Sequence, residues 1–305
     1  MKRVLITGAT GFIGQHTIKC FDPHHFEIHC VASKMDIDDS HDSVFWHTTD
    51  LLNDKDRLNL FKTVEPSHLL HLAWYTEPKT YWTSDMNLRW LSASVSMLNY
   101  FNEFNGERVT FVGTCAEYDW SYGFCSENIT PLRPATLYGV CKNSLREVSE
   151  SFCKQNDISL SWGRVFFLYG PNEHTVRLVP SIILSLLRNM PVDVTLGMQI
   201  RDFLYSKDVG SALVALLCSN ITGAVNIGSG VPITIHDIAH KIGVKMGKSE
   251  LINYGGVETP KDDPPLILAD CRRLSQEVGW TPEYTLDDGL DETIAWWGKK
   301  HSDES

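Results

Sequence analysis

Short, nearly continuous apolar runs alternate with longer segments whose apolar residues recur every three to four positions through the first 170 residues. Lys2-Arg3-Val4-Leu5-Ile6-Thr7, Phe26-Glu27-Ile28-His29-Cys30-Val31-Ala32, His68-Leu69-Leu70-His71-Leu72-Ala73 and Arg108-Val109-Thr110-Phe111-Val112-Gly113 read as strands covered on both faces. Val44-Phe45-Trp46-His47 reads as a shorter strand and residues 158–168 as a sixth. Between them, residues 54–64 present Leu58, Phe61 and Val64 on one side, and residues 87–104 present Leu88, Leu91, Val95, Leu98 and Phe101. Residues 15–21 and 134–154 complete the helices, and residues 119–134 are irregular. Strands alternating with helices predict an α/β fold with a doubly wound parallel sheet.

After residue 170 the alternation fades. The pattern predicts helices over 179–187, 206–218 and 235–246, strands over 192–196 and 201–205, and strand then turn over 224–230. Residues 255–265 hold two glycines and three prolines and read as loop. A last helix, 286–297, leads into a polar tail expected to fray.

The first fourteen residues add chemistry to this pattern. A strand runs straight into Gly8-Ala9-Thr10-Gly11-Phe12-Ile13-Gly14 and then a helix, the context of a dinucleotide-binding turn. Gly8 suits the sharp turn, Gly11 a close approach of backbone to pyrophosphate, and Gly14 close packing of helix on strand. The helix start offers free N–H groups to phosphate. The second strand ends Ala32-Ser33-Lys34. A hydroxyl and a cation there suit the 2′-phosphate of NADP better than the diol of NAD, although Asp36 is close enough to serve a diol. NADP(H) is the preferred expectation, with NAD(H) the alternative.

Tyr138 and Lys142 lie four residues apart on one helix and share a face. A nearby ammonium favours phenolate, so the pair is expected to lower the tyrosine pKa from ~10 toward neutrality and allow proton exchange with an alcohol oxygen. Thr114, ending the fifth strand, is in a position to bond the same oxygen.

Composition excludes several classes. A net charge of −11 with no Lys/Arg cluster argues against nucleic acid. No stretch approaches the ~20 apolar residues of a membrane span. Eight cysteines at irregular spacing, with no CxxC pair, predict reduced thiols and no metal site. The apolar run before Gly8 is too short for a signal-peptide core, so a cytoplasmic location is expected.

These motifs together resemble the extended short-chain dehydrogenases/reductases, also called the NAD-dependent epimerase/dehydratase family. The resemblance runs nearly end to end. It rests on Thr7 to Gly14, Asp50-Leu51, His71-Leu72-Ala73, Asn87, Tyr138-Gly139-Val140-Cys141-Lys142, Arg164 to Pro171, Arg201-Asp202-Phe203 with Asp208-Val209, Asn226 to Gly230, and Gly279-Trp280 with Pro282. It implies a Rossmann domain over 1–169, completed by about 201–229 and 266–280. A smaller α/β lobe of 170–200, about 230–265 and 281–305 would bind a nucleotide-diphosphate sugar. It implies a catalytic triad of Thr114, Tyr138 and Lys142. The cofactor would meet Gly8, Gly11, Phe12, Ile13, Gly14, Ser33, Lys34, Asp50, Leu51, Leu72, Ala73 and Trp74, besides Tyr138 and Lys142. Candidate substrate contacts are Tyr75, Cys115, Ala116, Asn172, Arg177 and Arg201, with Arg201 meeting the nucleotide or pyrophosphate. A homodimer through helices 87–104 and 134–154 is also implied.

The departures narrow the activity. Family members that eliminate water carry Asp-Glu directly after the triad threonine; here Cys115 and Ala116 stand there, and neither is a carboxylic acid. Phe167 stands near the family's sugar-contacting Asn, and no late-loop arginine is evident around Thr259-Pro260-Lys261-Asp262. The expected reaction is reduction of a 4-keto-6-deoxy nucleotide-hexose, with Tyr138 as general acid. The alternative is a 4-epimerase with tightly held NAD. A reading of another class is a non-catalytic NAD(P) sensor.

Overall fold

The computed structural model describes residues 1–34 and 44–303. In chain order its elements are β1 (Lys2–Thr7), α1 (Gly14–Thr17), β2 (Phe26–Ala32), β3 (Val44–Thr48), α2 (Asp54–Val64), β4 (His68–His71), α3 (Met86–Glu103), β5 (Arg108–Thr114), β6 (Phe124–Cys125) and α4 (Leu137–Gln155). There follow β7 (Ser159–Val165), β8 (Phe167–Tyr169), α5 (Leu178–Leu187), β9 (Val192–Val194), β10 (Ile200–Tyr205), α6 (Ser206–Cys218), β11 (Gly223–Ile227), β12 (Pro232–Thr234), α7 (Ile235–Met246), β13 (Ile252–Tyr254), β14 (Leu266–Ala269) and α8 (Leu286–Asp303).

Seven strands form one parallel sheet in the order β11-β7-β5-β4-β1-β2-β3. This is the Rossmann arrangement, and the strand order reverses between β1 and β4. Val4 and Ile6 of β1 point into a core shared with Val209, Leu213 and Leu217 of α6. Leu5 points the other way, into a core with Phe61, Met97, Phe101 and Leu145 of α2, α3 and α4. Helices on both faces explain why these strands read as unbroken apolar runs.

The sixth predicted strand divides. β7 ends at Val165, and after Phe166 the chain leaves this sheet as β8 to pair with β10. The second sheet runs β12-β10-β14-β6, with β8 also on β10. Of the segments expected to complete the Rossmann domain, about 201–229 and 266–280, the strands β10 and β14 lie in this second sheet. A buried carboxylate holds them there: Asp202 accepts the backbone N–H groups of Ser229, Gly230 and Ala269 and the Ser229 hydroxyl. β9 and β13 pair separately, and α5, α7 and α8 share a core of Ile182, Leu186, Ile238, Ile242, Leu290 and Trp297.

Three helices differ from their predicted bounds by more than one residue. α1 is four residues long and passes into a 3-10 turn at Ile18–Cys20, where the pattern predicted one helix. α4 starts at Leu137 rather than Pro134, because the Thr136 side chain accepts the Gly139 N–H and caps it there. α8 continues through the expected tail to Asp303, with Lys300 over the rings of Trp296 and Trp297.

Candidate active site

The carboxyl ends of β1, β2, β4 and β5 share one edge of the sheet, and the crevice of an open α/β sheet lies at such a strand-order reversal. Gly8 follows β1 with φ of +70°, and a Cβ there would stand 2.7 Å from the Ala73 nitrogen. A Cβ on Gly14 would stand 2.1 Å from the Gly8 carbonyl oxygen. Gly11 is exposed, and a Cβ there would meet only the Gly8 oxygen, at 3.1 Å. The turn is therefore closed on its inner side and bare on its outer side, a cradle that fits a dinucleotide pyrophosphate. Phe12 and Ile13 are half-buried, and Ile13 begins the hydrogen-bonded helical turn.

Ser33 and Lys34 are exposed just beyond β2. Asp36, the competing diol partner, lies outside the described residues. Asp50 is exposed and accepts the Leu52 N–H, while Leu51 is buried. Beyond β4, Leu72 is half-buried and Ala73 buried, its N–H directed to the Thr7 hydroxyl. His71 bonds Thr7 at 2.7 Å and Ser94 at 2.9 Å, and burial pulls its pKa down to about 3, so it is neutral.

Tyr138 sits in the first turn of α4, where its backbone N–H donates to the Trp82 carbonyl at 3.1 Å. Its side chain is 9% exposed and hydrogen-bonded with Thr114. Tyr81 and Trp82 meet its ring edge-on at 5.1 and 5.7 Å between centroids. Trp120 meets Trp82 at 6.3 Å and anchors its indole N–H on the Cys115 carbonyl. These three aromatic side chains were not singled out as site residues; the sequence signal was aromatic density in the irregular segments after β4 and β5.

The expected lowering of the tyrosine pKa is reversed in the folded chain. Burial pushes the Tyr138 phenol up, helped by Tyr81, and the Thr114 hydrogen bond opposes this only in part. Lys142, one turn on, donates from Nζ to the Val112 carbonyl at 2.8 Å and lies over the Trp74 ring. Burial pulls Lys142 down to about 7, against the Glu117 carboxylate, which favours the ammonium.

Glu117 closes the turn that carries Thr114. It is fully buried and accepts the Thr114 N–H at 2.9 Å, the Trp162 indole N–H at 3.0 Å and Arg164 Nε at 2.7 Å. Arg164 also reaches the Tyr118 hydroxyl, and Tyr118 donates to Asn226. The strand before the turn must be bare, since a Cβ on Gly113 would stand 2.0 Å from Trp162 Nε1. Cys115 and Ala116 are buried beside Thr114, and burial pushes the Cys115 thiol up, which keeps it protonated.

The remaining predicted contacts divide. Tyr75 packs in the aromatic cluster around Tyr138 and bonds Thr80. Asn172, with φ of +67°, reaches Gln15 beside the glycine turn at 3.1 Å. The Arg177 guanidinium lies over the Tyr81 ring at 5.3 Å. Arg201, expected to meet a pyrophosphate, has its guanidinium engaged within the chain. It is 3% exposed and its guanidinium is taken up by Asp263 and by the carbonyls of Ile200 and Pro264.

Known proteins share this architecture. UDP-glucuronic acid decarboxylase 1 of Xenopus tropicalis is 26% identical over 312 residues, covering 98% of this chain and 73% of that one. CDP-abequose synthase of Salmonella muenchen is 23% identical, covering 96% and 97%. The structure of MoeE5 in complex with UDP-glucose and NAD superposes with a TM-score of 0.84 at 25% identity, covering 99% and 100%. The model of the "NAD dependent epimerase/dehydratase family" matches residues 4–228, and with the glycine turn, Thr114, Tyr138 and Lys142 gathered at one sheet edge, the chain belongs to that family.

Proposed function

We propose that this chain is an NAD(P)-dependent oxidoreductase of nucleotide-diphosphate sugars that reduces a 4-keto-6-deoxy hexose, with Tyr138 as the general acid. The observation that carries this is the chemistry of the turn around Thr114, where buried Cys115 and Ala116 follow the threonine and Glu117 is paired with Arg164. Tyr138 is held as a phenol by burial, ready to give a proton to a carbonyl oxygen. The thiol of Cys115 is neutral, Ala116 has no functional group, and Glu117 is sealed against Arg164. This leaves the turn without a free carboxylic acid for water elimination. The aromatic rings of Tyr81, Trp82 and Trp120 gathered around Tyr138 suit a sugar whose C6 is a methyl group.

The nicotinamide cofactor, when bound, supplies the hydride. Gly8, Gly11 and Gly14, with Phe12 and Ile13, would hold its pyrophosphate, and Leu72, Ala73 and Trp74 would flank it. Asp50 and Leu51 would face its adenine. Ser33 and Lys34, both exposed at the end of β2, support NADP(H) over NAD(H). Thr114 orients the sugar oxygen that Tyr138 protonates. Lys142 keeps donor capacity beyond Val112 for a ligand oxygen and, as the ammonium, stabilises the phenolate left behind. Tyr75, Cys115, Ala116, Asn172 and Arg177 would meet the sugar nucleotide, and Arg201 would do so only after leaving Asp263. Leu88 on α3 with Val140 and Val148 on α4 are exposed apolar residues that support a homodimer through these helices.

A 4-epimerase with tightly held NAD uses the same three side chains, and the MoeE5 complex with UDP-glucose and NAD favours it. The test is oxidation of NADPH and NADH, followed by absorbance, against a panel of nucleotide-linked 4-keto-6-deoxyhexoses. Consumption with NADPH is expected. No consumption, together with interconversion of 4-epimeric nucleotide-sugars, replaces the reductase with the epimerase.

A further inference from the structure

The ammonium of Lys142 has two protein partners among the described residues: the Val112 carbonyl and the face of Trp74, whose ring centroid is 3.9 Å from Nζ. That indole is clamped. Its N–H donates to Asn87 Oδ1 at 2.8 Å, and Asn87 is fully buried, with Nδ2 donating to the carbonyls of Tyr81 and Ser84 at 2.7 and 2.9 Å. Trp90 lies alongside at 6.4 Å between centroids. Trp74 follows β4, Asn87 stands in the first turn of α3 and Lys142 is on α4, so three elements converge on one cation. The quadrupole of an indole face attracts a cation, and the attraction grows where water is excluded.

We propose that Trp74 is a positioning residue for Lys142: clamped by Asn87, its ring holds the ammonium beside the Val112 carbonyl, one helical turn from Tyr138. This gives Trp74 a task other than contact with the cofactor. It rests on the reading of Lys142 as the charged partner of Tyr138.

The ring matters because the charged state is otherwise marginal. Burial pulls Lys142 down to about 7. The titratable groups facing it are Glu117, from the turn after β5, which favours the ammonium, and His71, from β4, which stays neutral; Tyr138 lies one turn back on its own helix. An ammonium over an electron-rich face is retained to higher pH than one over an aliphatic wall.

The test reads Lys142 directly, in the full chain and without substrate. Lysine labelled with ¹³C and ¹⁵N is followed by NMR through a pH titration, and the Lys142 signal is assigned by its loss in Lys142→Arg. In Trp74→Leu the titration is expected to move to lower pH by about one unit, whereas Trp74→Phe, which keeps a ring face, moves less than half as far. Fluorinated tryptophan placed at position 74 preserves shape while draining the ring. It is expected to move the titration down progressively with fluorine content, and it remains informative if Trp74→Leu does not fold. A Lys142 titration that is unchanged by fluorination overturns the proposal. In the sugar assay the alkaline limb of kcat/KM is expected to move with the NMR titration, while KM for the nucleotide-sugar changes less than about twofold. A limb that stays fixed while the NMR titration moves instead overturns the role of Lys142 as the charged partner of Tyr138.

Discussion

The Glu117 carboxylate accepts the backbone N–H of Thr114 at 2.9 Å from within an ion pair with Arg164 that is closed to solvent. The residue proposed to orient the substrate oxygen is therefore held by a charge three positions along the same turn. Breaking one partner of a buried pair costs about 3–5 kcal/mol, because the other charge is left uncompensated. Glu117→Gln is expected to lose about that much stability in urea melts, and Arg164→Met a similar amount. Loss below about 1 kcal/mol would show that the pair does not hold the turn.

Gly14→Ala tests the glycine turn. The added Cβ meets backbone, the Gly8 carbonyl oxygen and Ala9. Overpacking of this kind costs about 1–3 kcal/mol. We expect that destabilisation in thermal melts, together with at least a tenfold weaker binding of NADPH by fluorescence titration. Unchanged cofactor affinity would remove the turn from the binding site.

Tyr138→Phe removes the proton donor and keeps the ring that Tyr81 and Trp82 pack against. A positioned acid contributes about 10²–10⁴-fold. Turnover is expected to fall by that factor, with thermal stability within about 1 kcal/mol of the parent. If the parent itself turns over no sugar substrate while binding NADPH, the sensor reading gains and the enzyme reading fails.

Lys34 is the expected ligand of the 2′-phosphate. A hydrogen bond to a charged group is worth about 1.5–3 kcal/mol. Lys34→Ala is expected to raise KM for NADPH about tenfold or more and to leave KM for NADH unchanged. Equal effects on both cofactors would return the assignment to NAD.

Acid stability follows from buried His68 and His71 and half-buried His16. Burial brings His16 and His68 to about 4 and His71 to about 3, whereas an unfolded histidine titrates near ~6.5. The folded chain thus binds fewer protons than the unfolded one between these values. Stability is full above pH ~6.5 and falls as pH drops toward the folded values, by up to ~1.4 kcal/mol per unit for each residue. Urea melts at pH 7, 6, 5 and 4 are expected to show a steepening loss below pH 6; a flat profile would mean that these rings are charged or exposed.

Much of the candidate site was legible because its motifs are local. The glycines of residues 8–14, the Ser33-Lys34 strand end and the four-residue spacing of Tyr138 and Lys142 each lie within one turn or one element. The residues that were missed act across elements. Tyr81, Trp82 and Trp120 come from two loops that meet only when β4 and β5 lie side by side. Arg201 reads as a free cation, and only the return of the 255–265 loop brings Asp263 against it.

The sequence by itself determined the parallel sheet, the edge at which the candidate site lies and the three polar side chains proposed to act there. Periodicity and glycine spacing are properties of neighbouring residues, and they survive without a fold. Which charges those side chains carry was decided only by tertiary structure. Spacing alone predicted a phenol lowered by its lysine; burial raises the phenol and brings the lysine to about 7 instead. The cost of desolvation depends on what the rest of the chain packs around a group, here Trp74, Tyr81 and Glu117, and no spacing along the chain records it.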